Sequence, residues 1–200
     1  MIKNIVFDIG KVLISFDWQP YITGLFDDEA TVEAIRNAIW KSGLWTEMDR
    51  GILSDEELLN KMQAIEPDYA DEIALAFEQS GDCCGKKAYA IPWIKDLKSC
   101  GYNVYFLSNY SQHIMQRAWY VLDFLPYMDG GVFSCAEHCV KPEPEIYKRL
   151  LDKYELEPHE SVFLDDKPEN IAAAHELGFE TVLFTSYDCG RKELERLLNS

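Results

Sequence analysis

The chain is predicted to be an α/β protein, a Rossmann-like parallel sheet interrupted after its first strand by an all-helical insert. Three observations carry this prediction. Short apolar runs stop abruptly at polar residues, at Asp8, at Ser108-Asn109 and at Asp165-Asp166, as strands do when their tips reach a binding crevice. Beyond residue 86 such runs alternate with helical periodicity, the pattern of a parallel sheet covered on both faces. Between Asp17 and Gly85 no strand-like alternation occurs. The units that follow are a core of residues 1–16 and 86–200 and a helical cap of residues 17–85.

Each element has its own signal. Lys3 to Phe7 is an apolar, β-branched run delivering Asp8 into a glycine-containing turn, and Ile9 to Phe16 reads as a tight turn with a small hairpin. Val32, Ile35 and Ile39 recur at helical spacing, and Ser54-Asp55-Glu56-Glu57 ahead of Leu58, Met62 and Ile65 is a capping box opening an amphipathic helix. Ile73 and Phe77, one turn apart, mark a further helix, and Gly81 to Lys87 reads as the linker out of the cap. A helix follows Pro92, then a strand from Tyr102 to Leu107 and a helix through Ile114 and Ala118. Val132-Phe133 is a short strand, Glu145 to Tyr154 a helix, and Val162 to Leu164 a strand. The helix from Glu169 to Leu177 stops at Gly178, a C-cap glycine. Thr181 to Phe184 and Arg191 to Leu198 supply the last strand and helix.

Composition narrows the function. A length of 200 residues suits one core, or a core with a smaller insertion. A net charge of −16 argues against nucleic acid or anionic membrane as partner, yet leaves room for a small phosphorylated substrate met by a local cation. No apolar run approaches the roughly 20 residues that span a bilayer. The opening residues lack a signal peptide's apolar segment, so a cytoplasmic location is expected. The 6 cysteines then read as reduced thiols rather than a disulfide framework. Cys135, His138 and Cys139 lack a second Cys/His pair at finger-like spacing. Oligomeric state is not legible in the sequence.

Strand ends in a parallel sheet open on one crevice. Asp8, Ser108-Asn109 and Asp165-Asp166 would meet there, joined by Lys141, which prolines flank in Val140-Lys141-Pro142-Glu143-Pro144. Singly, each has an ordinary reading as a turn, cap or surface residue. Together they form a chemical set. Converging carboxylates repel one another, and a hard cation such as Mg²⁺ would relieve this through oxygen ligands from Asp8 and the Asp165-Asp166 pair. Ser108 and Asn109 can donate to phosphate oxygens, Lys141 adds positive charge, and Asp can act as nucleophile to form an acyl phosphate.

These stretches resemble the haloacid dehalogenase-like hydrolase superfamily along nearly the whole chain. Phe7-Asp8-Ile-Gly-Lys-Val-Leu is similar to its first motif, Leu107-Ser108-Asn109 to its second, Lys141-Pro-Glu-Pro-Glu-Ile-Tyr to its third, and Phe-Leu-Asp165-Asp166-Lys-Pro-Glu-Asn170 to its fourth. The insert's position resembles the cap of subfamily I. The second and fourth motifs are most similar to bacterial sugar-phosphate phosphatases grouped with the N-terminal phosphatase domain of soluble epoxide hydrolase. The resemblance implies a Mg²⁺-dependent phosphatase with Asp8 as nucleophile. It also implies metal ligands from Asp8, the carbonyl of Gly10 and Asp166, with Asp165 as an outer ligand. Phosphate would be held by Ser108, Asn109 and Lys141, with Asn170 in support.

One position departs from the pattern. Most phosphatases of the superfamily carry a second Asp two residues after the nucleophile, as general acid and base, and here that position is Gly10. Losing a general acid typically costs about 10²–10⁴-fold in rate, although some phosphatases of the resembled group also carry Gly there. Two alternatives stay open: a metal-independent haloacid dehalogenase, and a phosphate-ester-binding module with weak catalysis. The Asp165-Asp166 pair favours the phosphatase, because unbalanced carboxylates would hinder an anionic substrate. Substrate choice is expected to fall to cap side chains, with Trp18, Trp40, Trp45, Met48 and Arg50 first among them. Trp40 and Trp45 are expected mainly in the cap's own core, and Arg50 is a candidate for a second anionic group on the substrate.

Overall fold

The computed structural model describes residues 1–199. The chain opens with β1 (Asn4–Phe7), whose four residues are fully covered, then turns at Gly10 into β2 (Ile14–Phe16). Helices follow: α1 (Trp18–Leu25), α2 (Glu29–Ile35) running on into a π-helical turn at Arg36–Lys41, α3 (Leu44–Arg50), α4 (Asp55–Ile65) and α5 (Ala70–Glu78). The capping box at Ser54 forms in full, with Glu57 N–H on the Ser54 hydroxyl and the Glu57 carboxylate on the Ser54 N–H. Strand β3 (Cys84–Lys86) then returns the chain beside β2.

The remaining elements alternate: α6 (Ala90–Ser99), β4 (Asn103–Ser108), α7 (Gln112–Arg117), β5 (Gly130–Phe133), the single turn α8 (Ser134–Glu137), α9 (Pro144–Tyr154), β6 (Ser161–Asp165), α10 (Pro168–Glu176), β7 (Glu180–Leu183) and α11 (Tyr187–Leu198). The five long-range strands pair in the order β5-β4-β1-β6-β7, all parallel. Strand β1 is central, and the chain fills one side of it before crossing to the other. That reversal opens a crevice at the carboxyl ends of β1, β4 and β6.

Alternate residues of each strand face opposite sides of the sheet, and both sides are packed. Ile5, Phe7, Val104, Phe106, Val162 and Leu164 meet Trp93 and Ile94 of α6 and Leu194 of α11. Val6, Tyr105, Leu107 and Phe163 meet Ile146, Tyr147 and Leu150 of α9 and Ala174 of α10. The first cluster continues without a break into Ile22, Ile35, Met62 and Ile73 of the helical segment.

Two expectations need correction. Ile9 to Phe16 does not form a hairpin with itself: Leu13 and Ile14 N–H both turn back to the Ile9 carbonyl, and β2 pairs antiparallel with β3, 70 residues later at Ser15–Gly85. The stretch from Gly81 to Lys87 therefore contains a strand rather than only a linker. Its three residues include a glycine and no β-branched residue, so no local pattern marks them. A Cβ at Gly85 would lie 2.6 Å from the Ser15 hydroxyl, which explains the glycine.

Candidate active site

Lys141 occupies the centre of the crevice. Its Nζ lies 2.8 Å from Asp8 at the end of β1 and 2.6 Å from Asp165 at the end of β6, and it donates to the Leu107 carbonyl of β4 at 2.8 Å. One ammonium thus ties together the tips of three adjacent strands. Burial works against the Lys141 charge, but Asp8 and Asp165 outweigh it and hold its pKa above the ordinary lysine value. Asn109 fixes the lysine's backbone: its side-chain oxygen accepts from Lys141 N–H at 2.7 Å and its amide donates to the Lys141 carbonyl at 3.0 Å. The visible work of Asn109 is positioning.

The carboxylates divide into two kinds. Asp165 is wholly buried and accepts from Lys141, from the Lys167 N–H at 2.8 Å and from the Asn170 amide at 3.0 Å. Asn170 is buried beside it and supports it directly. Asp8 and Asp166 instead line an open cavity. Burial, partly opposed by Lys141, pushes the Asp8 carboxyl up to about 6, and burial with the Asp165 charge raises Asp166 above its ordinary value. Oxygens of Asp8, Asp165 and Asp166 all lie within 4.8 Å of one another. Lys11, held at φ 61°, adds a second cation 3.8 Å from Asp166, but its side chain is exposed.

Ser108 is buried at the tip of β4, and among the described residues its hydroxyl has no hydrogen-bond partner. A buried hydroxyl left unpaired is costly; Ser108 does not itself line the cavity, but its neighbour Asn109 does. Gly10 lies beside Asp8 on the cavity wall, and a Cβ there would meet nothing within 4 Å.

The cavity encloses about 600 Å³, within the usual range for a small ligand. Its wall also includes the aromatic side chains Phe16, Trp18, Trp40 and Trp45. Trp18 stacks on Trp40 at 4.8 Å and Trp40 on Trp45 at 5.4 Å. Trp40 and Trp45 are partly buried: both pack against the hydrophobic cluster, as expected, and both also line the cavity. Met48 is the reverse case, buried in the hydrophobic cluster. Arg50 also lines the cavity, but both its terminal nitrogens are engaged by Glu143, at 3.0 and 2.7 Å. It joins α3 to the loop after Lys141, and its charge is already matched.

Sequence reasoning missed Asp49. It is 8% exposed, on α3 one residue before Arg50, and lines the same cavity as Asp8. A lone Asp in the last turn of a helix carries no motif, and the only signal available was its juxtaposition with Arg50 and Gly51.

A family model described as haloacid dehalogenase-like hydrolase matches residues 2–178. The chain belongs to this family of hydrolases. It is 30% identical to the D-ribitol-5-phosphate phosphatase of Bacteroides thetaiotaomicron, covering 100% of both chains, and 27% identical to the sesquiterpene phosphatase of Aspergillus oryzae, covering 98% of this chain and 96% of that protein. Among solved structures, a HAD-like family hydrolase from Porphyromonas gingivalis superimposes with a TM-score of 0.76 at 24% identity, over 100% of this chain and 99% of that one. A HAD family enzyme from Bacteroides thetaiotaomicron, solved with magnesium and inorganic phosphate, gives 0.72 at 22% identity, over 94% and 98%. These likenesses place the fold.

Proposed function

We infer that this protein is a Mg²⁺-dependent phosphatase that hydrolyses a small phosphorylated metabolite through a phospho-Asp8 intermediate. The observation that carries this is the meeting of Asp8, Asp165 and Asp166, with the buried Lys141 ammonium paired to the first two. The buried Lys141 and the exposed Lys11 leave three carboxylates one positive charge short, and hard oxygen donors with surplus negative charge fit a Mg²⁺ ion. Asp8 and Asp166, with the Gly10 carbonyl, would hold it, and Asp165 would support from behind. Bound there, the ion would supply the positive charge that lets a phosphate dianion approach these carboxylates. The names of the two similar phosphatases support the same reading.

The chain's own residues then act as follows. Lys141 orients Asp8 and meets the transferring phosphoryl oxygens, and the unpaired Ser108 hydroxyl donates to another. Asp8 attacks phosphorus, and the ester P–O bond breaks. Water then attacks the acyl phosphate, and the Asp8–phosphorus bond breaks to release inorganic phosphate. The aromatic wall suits a leaving group with an apolar face, and a sugar phosphate is one ester of that description.

Phosphate release from a panel of phosphate monoesters is expected to require Mg²⁺ and to fall by about 10⁴-fold or more in Asp8→Asn, as loss of a covalent nucleophile does. Turnover that survives the substitution would sink the mechanism. Halide release from 2-haloacids without metal would point instead to a dehalogenase.

A further inference from the structure

Transfer of a phosphoryl group to Asp8 leaves an alkoxide, which must receive a proton, and the water that follows must lose one. Gly10, beside the nucleophile, has no side chain to do either. We propose that Asp49, which α3 brings to the same cavity, is the general acid and base of this site. The proposal rests on the phosphatase reading and adds a catalytic residue to it.

Three observations favour Asp49. First, it lines the same cavity as Asp8 and Gly10, and the space beside Gly10 is open, since a Cβ there would touch nothing within 4 Å. Second, its backbone is anchored to the core although it belongs to the helical insert. The Ser134 hydroxyl donates to the Asp49 carbonyl at 2.5 Å, Arg50 pairs with Glu143, and Gly51 packs so tightly that a Cβ would lie 2.7 Å from the Cys135 carbonyl. A proton carrier needs such a fixed position relative to the nucleophile. Third, its surroundings suit proton exchange near neutrality. Burial, with the Asp8 charge, pushes the carboxyl up to about 7, while Lys167, Lys141 and the Ser111 N–H keep it from rising further.

The groups facing Asp49 are Asp8, Lys141 and Lys167, together with the Tyr110 hydroxyl and the Cys135 thiol. On the neighbouring cap helices, Arg36 and Lys41 turn to Glu33, and Asp55 to His113. Other candidates in the cavity fit less well. Burial raises Tyr110 above its ordinary phenol value, Glu143 is held ionised by Arg50, and Glu169 is exposed.

The steps balance. As the ester P–O bond breaks, the Asp49 carboxyl gives its proton to the leaving oxygen, yielding the alcohol, phospho-Asp8 and the Asp49 carboxylate. That carboxylate then takes a proton from the attacking water as the Asp8–phosphorus bond breaks, which restores both aspartates.

The test compares an alkyl phosphate, whose leaving group needs a proton, with p-nitrophenyl phosphate, whose leaving group does not. In Asp49→Asn with Mg²⁺, kcat/KM for the alkyl ester is expected to fall about 10²–10⁴-fold, and for the p-nitrophenyl ester less than about tenfold. Gly10→Asp in the Asp49→Asn background, using the open space at residue 10, is expected to restore at least about tenfold of the alkyl activity. Equal loss on both esters by a folded variant, with no rescue, overturns the proposal while leaving the phosphatase reading intact. Should the variant not fold, the wild-type protein answers. Its alkyl kcat/KM is expected to fall as pH rises through about 7, because Asp49 loses the proton it must donate, with no matching fall for the p-nitrophenyl ester; parallel profiles overturn the assignment. A wild-type protein that hydrolyses neither ester overturns the phosphatase reading and this proposal together.

Discussion

Two ion-pair clusters border the same cavity, and their distances are nearly the same while their surroundings differ. Lys141 meets Asp8 and Asp165 at 2.8 and 2.6 Å with side chains 1%, 10% and 0% exposed. Arg50 meets Glu143 at 2.7 Å with side chains 22% and 41% exposed. In the first, desolvation makes each charge depend on the others, so removing one leaves the rest buried without a partner. In the second, solvent screens the pair, which serves as a joint between α3 and the loop after Lys141. Contact distance does not separate the two; burial does.

Removing one member of each pair breaks the comparison open. Lys141→Met leaves Asp8 and Asp165 buried and unmatched, and is expected to cost about 3–5 kcal/mol in denaturant unfolding without metal and to abolish turnover. The sign with pH follows Asp8: burial raises its carboxyl to about 6 even with Lys141 present, so without the ammonium the folded form holds that proton still more tightly than the unfolded chain, and the penalty grows as pH rises and shrinks in acid. A loss below about 1 kcal/mol, the range of an exposed pair, would put the cluster in the same class as the rim. Arg50→Gln is expected to cost about 0.2–1 kcal/mol and to leave KM for a simple phosphate monoester within about threefold, since its charge is matched by Glu143. A large rise in KM would show that Arg50 leaves Glu143 to bind substrate.

The parallel sheet was legible because its three central strands, β1, β4 and β6, are largely buried apolar runs that lead into polar residues. Apolar runs marked Lys3 to Phe7 ahead of Asp8, Tyr102 to Leu107 ahead of Ser108-Asn109 and Val162 to Leu164 ahead of Asp165-Asp166, and the parallel-sheet pattern implied that all three tips share one crevice. The β2–β3 ribbon was not legible, since it pairs residues 70 apart and each strand is three residues long. The helices α1, α3 and α8 were also missed, being short and lacking a clean apolar stripe. At the site, residue identity located Lys141 and the carboxylates, but only the fold shows that Asn109 clamps the Lys141 backbone and that Arg50 is already paired. Asp49 could not be found from sequence, because only the fold brings it to the cavity that Asp8 lines.

The account rests on Asp8 as nucleophile, and one measurement reaches that directly. Acid quench of the enzyme during turnover of a phosphate monoester with Mg²⁺, followed by mass spectrometry of the protein and its peptides, is expected to show one added phosphoryl group on the peptide that contains Asp8. Steady turnover with an unmodified protein throughout, or a phosphoryl group on any other residue, would contradict it.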